Sequence, residues 1–91
     1  MRLAYADQAR EDLIAIYADG VRLFGEAQAD RYLDGLFYLF DLLTDNPDLE
    51  TAFGQAVRRI VYKSHVVYYE HSDDEVVIVE VRAGGMDARP L

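Results

Sequence analysis

The sequence contains no cysteine, and this absence excludes several kinds of chemistry at once. Without a thiol, the chain can form neither a disulfide nor a thiolate metal site, and it has no cysteine nucleophile. Such a composition fits a reducing cytosol, where disulfides rarely persist. Any function must therefore rest on other side chains.

Long apolar segments are also lacking. No run of eighteen or more apolar residues occurs, and the first five residues have neither the apolar stretch nor the cleavage site of an export signal. We therefore expect a cytoplasmic protein without a membrane partner. A chain of 91 residues can enclose only one modest core, so a single domain over residues 1–91 is predicted.

Basic residues are few: 9 Lys and Arg stand against 17 Asp and Glu, for a net charge of −8. Residues 1–50 hold eleven acids and four bases (4 − 11 = −7), and residues 51–91 hold six acids and five bases (5 − 6 = −1). Direct binding of nucleic acid is not expected, because neutralising phosphates requires clustered Lys and Arg. The acidic first half could receive a basic partner or could simply be a solvated helical face.

Signatures of cofactor and metal binding are missing as well. Gly84 and Gly85 are not followed by a helix, and no glycine-rich turn with a phosphate-binding lysine is present. His65 and His71 would lie ~20 Å apart on one extended strand, too far to share an ion. Ser64 and His65 would point to opposite faces, so they cannot form a catalytic pair. We expect no cofactor and no metal.

Hydrophobic periodicity organises the first half of the chain. Leu3 and Tyr5 alternate with their neighbours and predict a short first strand. Residues 7–24 and 26–43 carry apolar side chains at spacings of three and four, which predicts two amphipathic helices. The single Gly25 between them favours an antiparallel hairpin.

Glycine and proline mark the irregular points of this half. Gly20 is a weak helix former, so the first helix could loosen there. Asn46 and Pro47 stop the second helix, because the residue before proline avoids the helical region. A loop is predicted from there to about Gly54.

From residue 56 the hydrophobic period changes to two. Residues 57–62, 65–70 and 75–81 are β-branched and aromatic runs separated by breaks too short for a crossover, which predicts an antiparallel meander. In the last run, strict alternation places Val77, Val79 and Val81 on one face and Val76 and Ile78 with Glu80 on the other. A strand that is apolar on both faces belongs inside the sheet or under a cover.

The predicted fold class is therefore α+β. An N-terminal short strand is followed by an antiparallel two-helix hairpin packed on a small antiparallel β-sheet.

Cleavage of RNA is the catalytic alternative, because it needs an acid, a base and cations around a phosphate. The alternation separates the bases of the sheet: Arg59 is in phase with Lys63, whereas Arg58 faces the other way. No catalytic residue is assigned, and a solvated strand face in which Arg and Lys stems cover apolar surface is the favoured interpretation.

The order of these segments resembles the ParE branch of the RelE/ParE toxin superfamily. The resemblance rests on residues 9–13, 46–47, 58–69, 77–82 and 86–89 and on the terminal Leu91, so it spans nearly the whole chain. It implies a helical hairpin against an antiparallel sheet. It also implies a toxin that binds DNA gyrase without catalysis and is neutralised by a ParD-like antitoxin.

The resemblance leaves two other functions open. A ribosome-dependent ribonuclease of the RelE kind would be expected to carry a basic surface and a late Tyr or His, yet this chain is acidic and its last seven residues hold neither. A non-toxic relative would bind its antitoxin only. Relatives often have a His and further bases where this chain has Ala83, Gly84 and Gly85, which would weaken or redirect binding to gyrase.

Two groups of residues are predicted to make the protein contacts. Aromatic side chains of the helices would bind the antitoxin, although most helical aromatics are expected to be core and only two or three to be anchors. The antitoxin-binding set is Tyr17, Phe24, Tyr32, Phe37 and Tyr38. Bases and aromatics of the sheet and tail would bind gyrase. The target-binding set is Arg58, Arg59, Tyr68, Arg82, Met86, Asp87 and Arg89, with an ion pair between Arg82 and Asp87 as the structural alternative.

Overall fold

Two helices and a mixed five-stranded sheet form the fold in the computed structural model, which describes residues 2–46, 52–53 and 57–84. The elements in chain order are β1 (Arg2–Tyr5), α1 (Asp7–Phe24), α2 (Glu26–Asp45), β2 (Ala52–Phe53), β3 (Val57–Tyr62), β4 (His65–His71) and β5 (Glu75–Ala83). The predicted fold class is confirmed, and so are both helices and the three long strands.

Each helix turns its predicted apolar stripe toward the sheet. Ala9 of α1 is fully buried, and Leu13 and Ile16 pack against the core beside it. In α2, the buried side chains recur at spacings of three and four; they are Ala29, Leu33, Leu36, Phe40 and Leu43. The apolar residues that recur with the helical period are therefore the ones that cover one face of the sheet.

The connection between the helices is one residue long. Gly25 has a φ of 91°, a conformation that residues with a β-carbon rarely adopt. The helices run antiparallel, since Tyr17 reaches Asp30 and Gly20 lies against Ala29. The expected loosening at Gly20 is wrong: α1 stays helical through it, because the close approach of Ala29 favours a residue without a side chain.

The sheet has the strand order β1-β5-β4-β3-β2. Strands β3, β4 and β5 form the predicted antiparallel meander, whereas β1 pairs with β5 in parallel. The parallel pairing is possible because the whole helical hairpin serves as the crossover between β1 and the meander. Strand β5 is paired on both sides, as its two apolar faces predict.

Strand β2 was not predicted. Ala52 and Phe53 were assigned to a loop, but they pair with Arg58 and Val57 at the β3 edge. Two residues are too few to show a period of two, so alternation cannot reveal such a strand. The residues of the predicted loop that precede and follow β2 lie outside the described residues.

A β-bulge in β5 changes the face of one valine. Tyr68 pairs with Glu80 and Tyr69 with Ile78, which leaves Val79 as an extra residue. Past the bulge, Val81 joins Val76 and Ile78 in the buried core. The predicted grouping of Val81 with Val77 and Val79 is therefore wrong, because strict alternation does not allow for an inserted residue.

The sheet consequently has two distinct faces. The inner face packs against the helices and supplies the core residues Leu3, Tyr5, Ile60, Tyr62, Val67, Tyr69, Val76, Ile78 and Val81. The outer face carries the alternate positions of the meander, which are Val57, Arg59, Val61, Val66, Tyr68, Glu70, Val77, Glu80 and Arg82.

A carboxylate of α1 caps the edge of β5. Strand β1 pairs with β5 only as far as Ile78. Beyond that point, the Val81 N–H donates to Asp12 Oδ2 at 2.9 Å. Asp12 thus satisfies a partly buried peptide group just past the bulge and ties α1 to the sheet.

Candidate protein-binding groove

A groove opens between the end of the helical hairpin and the turn that joins β3 to β4. Its volume is about 690 Å³. Residues from α1, α2 and the β3–β4 turn line it; they are Ile16, Asp19, Gly20, Leu23, Phe24, Gln28, Ala29, Tyr32, Leu33, Lys63, Ser64 and His65. We refer to this feature as the groove throughout.

The two helices approach each other closely within the groove. A β-carbon at Gly20 would stand 3.2 Å from the Ala29 Cβ, so the two backbones are nearly in contact. Neither residue has a side chain long enough to fill the space above it. The groove therefore owes part of its depth to two small residues.

The apolar wall of the groove is largely open to solvent. Leu23 is 59% exposed and Phe24 is 63% exposed at the last turn of α1. Two large apolar side chains side by side on the surface of a small domain indicate an interaction site more than a solvated face. The wall is continuous with Ile16 and Leu33, which reach down toward the core.

The opposite end of the groove is polar and aromatic. The Tyr32 Oη lies 2.7 Å from His65 Nδ1, and the Tyr62 hydroxyl donates to the Tyr32 carbonyl oxygen at 3.4 Å. Burial lowers the pKa of His65, because desolvation disfavours the imidazolium form. A neutral His65 can accept a hydrogen bond from the Tyr32 hydroxyl at Nδ1, and this contact orients both rings.

Lys63 completes this end of the groove. Its Nζ lies 5.8 Å from the Tyr32 ring centroid and 5.5 Å from that of Tyr62. The expected phasing of Lys63 with Arg59 is therefore wrong, since Lys63 stands over inner-face tyrosines. The reason is its backbone: Lys63 is in the turn, with a φ of 52°, and does not continue the alternation of β3.

The predicted antitoxin-binding aromatics are only partly brought together. Phe24 and Tyr32 line the groove. The Tyr17 hydroxyl instead donates to Asp30 at 2.7 Å on the exposed side of the hairpin, and this bond raises the pKa of Tyr17. Phe37 and Tyr38 are exposed farther along α2, outside the groove.

Sequence reasoning missed Leu23, Lys63 and His65 as members of the groove. Leu23 could have been found, since it stands beside Phe24 directly before the Gly25 turn. Lys63 and His65 join the site only through the β3–β4 turn, and no periodicity places that turn beside the hairpin. Periodicity predicts which residues form strands, but it does not predict which neighbouring element the turn between two strands will contact.

The predicted target-binding residues fall on both faces of the sheet. Arg59 and Tyr68 are register partners on the outer face, and Tyr68 is also paired with Glu80. Arg82 shares this face and its Nε lies 3.8 Å from Glu80 Oε1. Arg58 is half-buried on the inner face beside Tyr69. Met86, Asp87 and Arg89, and with them the expected pair of Arg82 with Asp87, lie outside the described residues.

In the described part of the chain, no helix is both long and apolar enough to cross a bilayer. Within residues 2–46, 52–53 and 57–84, no cluster of three or more His, Asp or Glu could hold a metal ion.

Comparison with protein-family models gives a match over residues 3–88 to the ParE toxin of type II toxin-antitoxin system, parDE. The chain belongs to the ParE toxin family. The match covers nearly the full sequence, as the resemblance of its segments implies. A search of curated proteins finds no match for this ParE family member.

Among solved structures, this ParE family member is similar to a chain described as the chromosomal ParDE TA system from P. aeruginosa. The TM-score is 0.79 at 20% sequence identity, and the alignment covers 91% of this chain and 95% of that one. At this identity the likeness establishes the fold. It agrees with the hairpin and sheet described above.

Proposed function

We propose that this ParE family protein is the toxin of a type II pair and that a ParD-like antitoxin neutralises it by inserting an apolar helix into the groove. The observation that carries the proposal is the exposed pair Leu23 and Phe24 above a floor of small residues. An amphipathic helix placed in such a groove buries its apolar face without unpairing any backbone group.

The energetics suit a stable complex. Full burial of a leucine or phenylalanine side chain is worth about 1.5–3 kcal/mol, and Leu23 and Phe24 both start more than half exposed. Two neighbouring apolar anchors of this kind are typical of the few residues that supply most of the binding energy at an interface. Tyr32 would be a third anchor, so two of the predicted aromatics, Phe24 and Tyr32, keep their proposed role.

The experiment uses the product of the reading frame next to this gene as the candidate antitoxin. The two proteins are co-expressed, and the affinity of the purified complex is measured for the wild type and for Leu23→Ser. We expect Leu23→Ser to weaken binding by about tenfold to a hundredfold, since 1.4 kcal/mol corresponds to a factor of ten.

Ile14→Ser is the matched control. Ile14 is also on α1 and is 71% exposed, but it does not line the groove. The control should bind like the wild type. If both variants lose affinity equally, or if neither loses any, the groove is not the antitoxin-binding site.

We further propose that DNA gyrase is the target and that the outer face of the sheet binds it without catalysis. Arg59, Tyr68 and Arg82 share this face, and arginine and tyrosine are typical interface anchors. The role proposed for Arg58 is weaker, because Arg58 lies on the inner face. Met86, Asp87 and Arg89 stay in the proposed set on the strength of the family resemblance alone.

A supercoiling assay with purified gyrase tests the target. The wild type should inhibit supercoiling, and Tyr68→Ala with Arg59→Ala should inhibit it less while still binding the antitoxin. Growth arrest without any effect on gyrase would point to another target. A wild type that arrests no growth at all would be the non-toxic relative.

One observation favours the ribonuclease alternative. The hydrogen bond between Tyr32 and His65 stands beside the Lys63 cation, so an acid, a base and a positive charge are close together. Arg59, however, lies on the other face of the sheet and does not join them. Messenger RNA that is cut in a translating lysate by the wild type but not by His65→Gln would establish this alternative in place of gyrase.

A further inference from the structure

Lys63 is the one Lys or Arg among the residues that line the groove. In residues 2–46, 52–53 and 57–84, no carboxylate pairs with its Nζ, whereas Arg2, Arg10, Arg22 and Arg82 each stand near an acidic partner. In a chain with a net charge of −8, the Lys63 ammonium group thus lies over two tyrosine rings and not beside a carboxylate. The rings orient the ammonium group but do not neutralise it.

The backbone at Lys63 is also costly. Lys63 is the first residue of a two-residue hairpin turn and has a φ of 52°, a position at which glycine or asparagine is preferred. A left-handed conformation costs a residue with a β-carbon about 1–2 kcal/mol. Stability alone would favour glycine there, so the lysine side chain contributes something that the isolated fold does not need.

The remaining charge in the groove is balanced. Asp19 is its one acidic lining residue, and Arg22 Nη2 lies 3.3 Å from Asp19 Oδ1. Burial lowers the pKa of His65 and so favours its neutral form. Among the charged residues that line the groove, Lys63 is therefore the one for which the described residues supply no ionic partner.

We propose, on the basis of the function proposed above, that the segment bound in the groove is amphipathic and places a carboxylate on Lys63. Its apolar residues cover Leu23 and Phe24, and its Asp or Glu side chain reaches the ammonium group over the two tyrosine rings. Elsewhere the acidic surface of the chain repels carboxylates, so this one contact fixes the register of the bound segment.

The probe is again the product of the adjacent reading frame, and its affinity is measured at low and moderate ionic strength. Lys63→Met should weaken binding by about tenfold or more and flatten the dependence on salt, because screening then has no close charge pair to act on. Arg31→Met is the matched control. Arg31 is an exposed base on α2 outside the groove, so Arg31→Met removes the same charge at a different place.

Lys63→Gly separates binding from folding. Glycine accepts the positive φ, so this variant should melt no lower than the wild type and should still lose affinity like Lys63→Met. In addition, Lys63→Glu should be rescued by an Asp→Lys or Glu→Lys change at one position of the partner. Such a rescue identifies the carboxylate.

The outcomes distinguish this inference from the function on which it rests. A wild type that binds nothing overturns both. A wild type that binds while Lys63→Met, Lys63→Gly and Arg31→Met bind equally well overturns the carboxylate contact and leaves the antitoxin groove standing.

Discussion

Gly35 allows α2 to pass directly over Tyr62. A β-carbon built at Gly35 would collide with the Tyr62 hydroxyl oxygen. That hydroxyl also donates to the Tyr32 carbonyl oxygen, so it is not free to move away without losing a hydrogen bond. The glycine is thus a packing requirement of the helix and sheet contact near the groove.

We expect Gly35→Ala to destabilise the protein by about 1–3 kcal/mol, the usual cost of overpacking. This outcome runs against helix propensity, which favours alanine by about 1 kcal/mol. Urea denaturation measures the difference. The double variant Gly35→Ala with Tyr62→Phe should recover part of the loss, because it removes the atom closest to the new methyl group. Additive losses would contradict the explanation.

His65 makes stability depend on pH. Its pKa is lowered in the folded state by burial, so the unfolded chain binds a proton more readily. The contribution to stability is complete above the unfolded pKa of about 6.5 and is lost as pH falls through the folded value. Acidification from pH 7.5 toward 5 should therefore reduce the free energy of unfolding.

Denaturation curves across that pH range test the assignment. Carboxylates also titrate near its lower end, so the informative quantity is the difference between the wild type and His65→Gln. The slope should be shallower in His65→Gln than in the wild type. His71→Gln is the control, and an equal slope in His65→Gln and the wild type would exclude His65 as the origin.

At the scale of single elements, β5 is the strand on which most of the fold depends. It pairs with β1 and β4, contains the bulge and receives the side chain of Asp12. The Asp12 carboxylate accepts the Val81 N–H at 2.9 Å where β1 has already ended. One acidic residue of α1 thereby replaces a missing strand partner.

Asp12→Ala should leave this peptide group without its acceptor and cost about 1–3 kcal/mol. Asp12→Asn keeps an acceptor oxygen and should cost less. Thermal unfolding monitored by circular dichroism compares them with Glu11→Ala, an exposed neighbour in the same turn of α1. A loss in Glu11→Ala as large as that in Asp12→Ala would point to net charge instead of the cap.

The same elements show what the sequence could and could not predict. Helical and strand periods located α1, α2 and the meander because each extends over several repeats of its pattern. The bulge at Val79 and the short strand β2 were missed, since an inserted residue and a two-residue strand leave no periodic signal. Phe24 and Tyr32 were predicted site residues, but their meeting with Lys63 depends on the β3–β4 turn.

At the scale of the whole molecule, the groove and the outer face of the sheet are separate surfaces. The groove lies at the hairpin and the β3–β4 turn, whereas Arg59 and Tyr68 point away from the helices. If the antitoxin binds the first and the target the second, neutralisation and toxicity can be lost independently.

We therefore expect two opposite phenotypes. Leu23→Ser should still arrest growth but should escape the antitoxin, whereas Tyr68→Ala should bind the antitoxin but lose growth arrest. Growth curves with and without the co-expressed antitoxin measure both. Variants that always lose the two properties together would indicate one shared surface.

The parallel contact between β1 and β5 joins residues 2–5 to residues 75–78, nearly the two ends of the described chain. During synthesis, the helical hairpin emerges long before the strands that it is to cover, and β1 cannot pair until β5 has been made. Contacts so distant in sequence close slowly. The apolar faces of the two helices therefore stay uncovered until β5 has been synthesised.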